Sequence, residues 1–456
     1  MDIMKEHDDY TKSLRSWKTA RCLYYGGDTL KDNAEHYLAR RQKEPIEVYR
    51  ERLAASYYEN YIGSIIDWYL ASLFRREPVI LLEKCEDDTR AAVSEFIENC
   101  DRQGTSIAEF FRSLLRDATL YGKAFVILDF PRVKQQLATR ADEVSAGVDK
   151  AYLISCSPEQ VTNWEYEDDG SFARIVVKIP RGRDVSNEGE SRNSYMLYEY
   201  DKYSVRVSSV TESVEGKPTA EVISESAHCL SRVARVPVMC FNLPQGLWLM
   251  ERAGNVQLEH YNKANALSWA LSMGLYATPV VYSDREWNQI TGDSYFIQLS
   301  PEDRFGWTEP EGKVYQIAAD NLERLKAEIF RVCHVSYQSG WGGAVAKQSG
   351  LSKQRDFQVT QEVLRAYGDW VKAAIRNVLH AVLEARSESA HVDVSGMDQF
   401  DIGEFSAELA DAERLLAMNI GSDTLRKQVH KKLALQFLCD MRQDIKDRIA
   451  AEIEGA

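Results

Sequence analysis

Histidine, cysteine, glycine and carboxylate residues all occur in this chain, but not at the spacings that metal binding or covalent chemistry requires. The eight histidines form no His-Glu-x-x-His and no His-x-x-x-His, the patterns that set two imidazoles on one helical face around zinc. The eight cysteines (22, 85, 100, 156, 229, 240, 333, 439) include no Cys-x-x-Cys pair, which fits reduced thiols better than a disulfide frame or a zinc site. His228-Cys229 and Cys333-His334 are chain neighbours, and neighbours diverge in direction on a helix or strand, so core packing accounts for them. Gly343-Ala344-Val345-Ala346-Lys347-Gln348-Ser349 lacks the second glycine of a phosphate loop, and no parallel-strand pattern precedes it. Gly-x-Ser-x-Gly is also missing, and the acidic turn from Glu165 to Asp169 reads as a solvated hairpin tip. The expectation is a protein with no catalytic centre, no metal and no cofactor.

Length and charge narrow the classes further. A chain of 456 residues with 44% hydrophobic content can bury a large core and should divide into two or more units. A formal net charge of -14 argues against a protein built to grip nucleic acid, because tight binding uses basic side chains to displace counterions. A surface past which DNA must slide without sticking is a different matter, and there an acidic balance is suitable. The N-terminus carries charges where a signal peptide needs an apolar stretch, so export is not expected. Asn265, Ser268, Ser272 and Pro279 interrupt the most apolar long segment, Ala264 to Val281, and no membrane span is expected there.

The elements follow from periodicity. Tyr49, Leu53, Tyr57, Tyr61, Ile65 and Trp68 predict one apolar stripe within a helical region from Asp9 to Glu77, and a second helical region runs from about Thr89 to Leu120. Strand patterns follow at 124–128, 152–154, 174–179, 195–198 and 204–207, with Asp168-Asp169-Gly170 as a turn. The polar stretches Ala138 to Asp149 and Arg181 to Asn193 read as solvated loops. A helix from Leu247 to about Tyr276 carries Asn255, Gln257, Glu259, His260, Asn262, Lys263 and Asn265 around nearly its whole circumference. That is not an ordinary core helix, and neighbouring copies or a wet channel would suit it. After some forty residues of strand and turn, Leu322, Leu325, Ile329 and Cys333 mark another helix, followed by a glycine-containing loop. Leu364, Tyr367, Val371, Ile375, Val378 and Val382 then mark an uninterrupted pattern from Ser352 to Arg386, roughly 50 Å long at about 1.5 Å per residue. Helices at about 407–418 and 422–453 close the chain.

Short motifs accompany this order: Tyr37-Leu38-Ala39-Arg40-Arg41-Gln42-Lys43-Glu44-Pro45 with Tyr49-Arg50-Glu51-Arg52-Leu53, and Leu73-Phe74-Arg75-Arg76-Glu77-Pro78. Ser349-Gly350-Leu351-Ser352-Lys353-Gln354-Arg355-Asp356-Phe357 and Asn419-Ile420-Gly421-Ser422-Asp423-Thr424-Leu425 complete the set. Together, and over nearly the whole chain, they resemble the portal proteins of tailed bacteriophages, the rings through which DNA enters and leaves the capsid.

The resemblance implies an α+β portal fold. Residues 1–246 would be the N-terminal wing, 247–276 the first stem helix, 277–318 the clip and 319–335 the second stem helix. Residues 336–351 would form the tunnel loop, 352–405 the long wing helix with a closing strand, and 406–456 a short helical crown. It also implies a ring of twelve copies at a capsid vertex of the virion, assembled in the bacterial cytoplasm and free of any membrane. Its partners would be double-stranded DNA, the terminase large subunit, tail adaptor proteins, the major capsid protein and scaffold. The DNA-facing loop residues would be Trp341, Gly342, Gly343, Lys347 and Gln348, with Lys347 the only basic residue between Arg331 and Lys353. Trp287, Phe305 and Trp307 would anchor docking on the clip, unless they only fill its small core. Asn255, Gln257, Asn262 and Lys263 would be the polar face of the stem. Two other classes stay open: a different head–tail structural protein, such as an adaptor or scaffold, and a DNA-processing enzyme, which would need clustered carboxylates or a phosphate loop.

Overall fold

The computed structural model describes residues 3–131, 147–185, 191–212, 218–275, 278–282, 304–308, 312–335, 350–398, 400, 402–418, 420–438 and 441–455. The chain is mixed α+β. Helices α1 (Asp8–Tyr25), α2 (Gly27–Lys31), α3 (Ala34–Tyr37), α4 (Ile46–Ala54) and α5 (Tyr61–Leu73) lead to β1 (Val79–Glu83). After α6 (Asp87–Glu98) and α7 (Ile107–Tyr121) come β2 (Lys123–Asp129), β3 (Tyr152–Cys156), β4 (Val161–Tyr166), β5 (Phe172–Val185), β6 (Ser191–Asp201), β7 (Ser204–Glu212), β8 (Pro218–Ala227) and β9 (Val238–Asn242). The remainder is α8 (Leu249–Leu275), β10 (Thr278–Tyr282), β11 (Arg304–Thr308), α9 (Gly312–Val332), α10 (Gly350–Arg386), β12 (His391–Ser395), α11 (Ile402–Ala417), α12 (Asp423–Phe437) and α13 (Gln443–Gly455).

Two compact units result: Met1–Arg21 with Ser64–Glu251 and Val345–Ala456, and Cys22–Gly63 with Arg252–Ala344. In the first, β4 to β8 form an antiparallel sheet in sequence order, β2 lies between β3 and β9, and β1 pairs with β12. Its core is α10 and α7. The predicted stripe of α10 is buried throughout, from Leu364 and Tyr367 to Val378 and Val382, and α7 contributes Phe111, Leu114, Leu115 and Ala118. At 37 residues α10 is about 55 Å long, slightly more than its sequence pattern indicates. Its close approach to the turn after β12 depends on Gly368, where an added Cβ would lie 2.5 Å from the Met397 carbonyl oxygen. Of the C-terminal helices, α13 is tied to β1 and α6: the Gln443 side chain donates to the Ile80 carbonyl at 2.6 Å, and Ser94 donates to Asp447 at 3.2 Å.

Three sequence expectations need correction. The stripe from Tyr49 to Trp68 is not one helix, because α4 ends at Ala54 and α5 begins at Tyr61. Asn60 is the reason: its Oδ1 accepts from Gly63 N at 2.9 Å, starting α5 as an N-cap does, while its Nδ2 donates to the Tyr24 carbonyl at 2.6 Å. Secondly, much of Arg181 to Asn193 is not a loop, since β5 runs to Val185 and β6 begins at Ser191, with Asp184 opposite Arg192. A strand is legible in sequence only where apolar and polar residues alternate, and this polar stretch offers no such alternation. Thirdly, strands form beyond the five the periodicity predicts there: β4, β8 and β9, of which β4 and β9 are largely buried.

The second unit consists of α2 to α4, most of α8, the antiparallel pair β10–β11, and α9. Here α9 starts at Gly312, seven residues before the expected boundary at 319, so the segment between the two long helices is correspondingly shorter.

Candidate functional site

The polar residues of α8 divide into two groups by what they touch. Asn255, Glu259 and Lys263, four residues apart, form an exposed line. Lys263 pairs with Glu259 at 2.9 Å and donates to Asn321 Oδ1 of α9 at 3.2 Å. Gln257, Asn262 and Asn265 instead hold the chain's own N-terminal segment. Gln257, fully buried, accepts from Ile62 N at 3.2 Å and donates to the Glu59 carbonyl at 2.8 Å. Asn262 accepts from Ala39 N at 2.8 Å and donates to the Tyr37 carbonyl at 2.9 Å. Asn265 does the same to both backbone groups of Tyr57, at 3.0 and 2.9 Å. Each primary amide carries an acceptor oxygen and an NH2 donor, which together satisfy both groups of an isolated stretch of backbone; the second N–H of Asn262 and of Asn265 bonds back to α8, at the Leu258 and Tyr261 carbonyls. For these three residues the polar circumference of α8 therefore reflects backbone pairing within one chain. Asn255 and Lys263 remain as the outward polar face.

The segment held this way contains the motif 37–53. Arg52, 4% exposed, donates through Nε and Nη2 to both oxygens of Glu44 at 2.9 Å and through Nη2 to the Ala39 carbonyl at 2.8 Å. Arg40 closes the knot by donating to the Glu44 carbonyl, and Tyr49 donates to the Leu38 carbonyl at 2.9 Å. The Arg52 hydrogen bonds, helped by the Arg41 backbone N–H, hold the Glu44 carboxyl down at about 2, against the opposing effect of burial.

At the other end of the unit, α9 stops beside α8. His334 has a left-handed backbone, φ 57°, and its Nε2 lies 2.6 Å from Arg252 Nη1, which also donates to the Val332 carbonyl at 3.4 Å. An imidazole can accept from a guanidinium only while that nitrogen is unprotonated. Burial, then Arg252 and Arg331, push the His334 pKa down, consistent with that role. The chain then enters the segment expected as the tunnel loop. Trp341, Gly342, Gly343, Lys347 and Gln348 lie outside the described residues, as does Trp287. Phe305 and Trp307 fall within β11, opposite Val281 and Pro279 of β10.

Elsewhere the chemistry is quiet. Among the described residues no three His, Cys, Asp or Glu side chains converge as metal ligands, and no helix is long and apolar enough to cross a membrane. Burial pushes the thiols of Cys100, Cys156 and Cys333 up to about 12 and that of Cys240 to about 11, so these thiols stay protonated and unreactive at neutral pH. The sequence names Glu44 and Arg52 only as members of a motif, assigns His334 to core packing beside Cys333, and gives no signal for Arg252. The spacing of Glu44 and Arg52 signals no chemistry, and Arg252 and His334 are 82 residues apart.

No protein-family model matches the sequence. No curated protein matches it either. Among solved structures, the chain is similar to one from the neck of an empty gene transfer agent particle computed with C6 symmetry, with 13% identity and a TM-score of 0.43 over 81% of this chain and 90% of that one. A chain from the virion of a native gene transfer agent particle gives 12% identity and a TM-score of 0.41, covering 86% and 94%. One from the neck of a native particle computed with C12 symmetry gives 14% and 0.39, again over 86% and 94%.

Proposed function

We propose that this chain is a portal protein of a tailed bacteriophage or phage-like particle. Copies of it form a ring at one capsid vertex, through which double-stranded DNA is packaged and released. The observation that carries the reading is the order of elements in the second half of the chain: α8, the short β10–β11 pair, α9, a glycine-containing segment, then the 37-residue α10. Two long helices with the paired strands β10 and β11 between them in sequence match a stem and clip, and in this reading residues 336–351 touch the passing duplex. The motif around Tyr37 to Leu53, which resembles portal sequences, has a structural role that fits: its knot is fastened to α8 through Asn262.

In this reading the ring has twelve copies and docks the terminase large subunit during packaging and tail adaptors afterwards. The major capsid protein and scaffold surround it. The protein itself carries out no reaction, because the motor supplies the energy. A formal charge of -14 suits a conduit that must not trap its cargo.

The test is packaging by particles whose chain carries bulkier residues at Gly342 and Gly343. Rings should assemble normally while packaging stalls or DNA leaks, and Lys347→Ala should act more mildly, because an exposed ionic contact contributes at most about 1 kcal/mol. Full, stable heads from the double glycine variant would remove the loop from the mechanism.

A further inference from the structure

The N-termini of α7 and α13 open onto one cavity of about 160 Å3 in the first unit. At the α7 end, Glu109 N donates to the capping Ser106 Oγ at 3.2 Å and Phe110 N to the Ser106 carbonyl at 2.9 Å. The N–H groups of Ile107 and Ala108 are left over, as the first donors of a helix must be, and both residues line the cavity. Neither N–H has an acceptor among the described residues. At the α13 end, Gln443 N donates to Glu98 Oε1 at 2.9 Å. Lys446, in the same first turn, also lines the cavity and is only 3% exposed. Among the described residues its ammonium makes no hydrogen bond and no ion pair, although a lysine buried to that degree is ordinarily paired. Two carboxylates, Glu77 and Glu98, share the walls. Glu98 is engaged through Oε1, and its Oε2 has no donor among the described residues.

We propose that this cavity binds inorganic phosphate. An anion at the start of α7 accepts from the Ile107 and Ala108 N–H groups and lies at the positive end of the helix dipole. The same anion supplies the counter-charge that Lys446 lacks, through a charge-assisted hydrogen bond. Size limits the ligand: at about 30 Å3 for each water-sized volume, 160 Å3 takes roughly five heavy atoms, the number in phosphate and far fewer than in a nucleotide. The wall carboxylates select among oxyanions of that size. Phosphate near neutral pH still carries a proton, which Glu98 Oε2 can accept, whereas sulfate carries none and would set two acceptors against each other. Bound there, phosphate fastens α13 to α7, in addition to the Gln443 and Ser94 bonds that hold α13 to β1 and α6. The site does not depend on the portal reading.

The test compares the full chain with Lys446→Met, which fills similar space without the charge, and with Ala108→Pro, which removes one N–H in the helical turn that tolerates proline. Thermal midpoints are followed in chloride, phosphate and sulfate at matched ionic strength and neutral pH. In the wild type the midpoint should climb with the logarithm of phosphate concentration, as for any ligand that binds only the folded chain. Lys446→Met should lose that climb and keep only the general rise that excluded oxyanions give to both proteins, sulfate included. Equal phosphate shifts in the wild type and Lys446→Met overturn the site. Sulfate protection that matches phosphate in the wild type and disappears in Lys446→Met overturns the assignment to phosphate. Amide hydrogen exchange on the wild type gives a local readout: phosphate should slow residues 106–109 and 443–447 more than strands β4 to β8, and uniform slowing overturns the site. Should Lys446→Met fail to fold, Ala108→Pro decides, because its phosphate protection must be weaker than that of the wild type and undiminished protection refutes the proposal.

Discussion

At the scale of single residues, the Arg52–Glu44 pair is a doubly hydrogen-bonded, buried ion pair in the second unit. Both side chains are almost completely buried, so removing one partner strands a charge in a medium that solvates it poorly. Arg52→Ala is expected to cost about 3–5 kcal/mol, measured by denaturant unfolding, whereas changing both residues to apolar ones of similar volume should cost far less. A pH effect follows with a definite sign. The Glu44 carboxyl is held at about 2 in the folded chain against 4.5 ordinarily, so its contribution is fully present above about 4.5 and is lost as pH falls from there towards 2. Glu44→Gln should flatten the stability profile across that window; an unchanged acid limb would contradict the assignment. The residues of this knot were visible in the sequence, but their pairing was not. Glu44 and Arg52 are eight apart, a spacing that no single helix brings face to face, and only the turn at Pro45 joins them. Gln257, Asn262 and Asn265 were legible as unusual helix residues. Their partners were not, because each binds backbone some two hundred positions away, and backbone carries no sequence signal.

Among the elements, α10 was the most readable: a long apolar repeat at helical spacing has few other folds, and all six predicted stripe positions are buried. What periodicity does not reveal is a break that happens to preserve phase. Ala55 to Asn60 do this between α4 and α5, where side chains from Tyr57 onwards keep the helical spacing although the backbone is held open by Asn265. Gly368 marks where α10 is closest to another segment. Gly368→Ala should destabilise the chain by about 1–3 kcal/mol, read from the urea midpoint, because the new methyl group meets a backbone carbonyl that has no rotamer to change. Gly421→Ala, with open space around its position, should have no such effect. The β10–β11 pair permits a separate prediction. Alanine at Phe305 and Trp307 should leave the assembly intact and weaken motor or adaptor binding, measured by co-sedimentation. Loss of folding would mean that these rings fill the hairpin's own core.

For the whole molecule, sequence composition sets the class and element order sets the function proposed. An acidic chain with no phosphate loop should show no ATP turnover when pure. Metal-dependent hydrolysis abolished by a point change in this chain would return the enzyme reading to consideration. Assembly tests more, because a ring repeats one heterologous contact at every step until it closes. Negative-stain electron microscopy of the purified chain is the most direct measurement. The portal reading predicts closed rings with a central hole, wide enough for a DNA duplex, across salt and micromolar protein concentrations. A uniform field of single particles the size of one 52.0 kDa chain, under all those conditions, would contradict it.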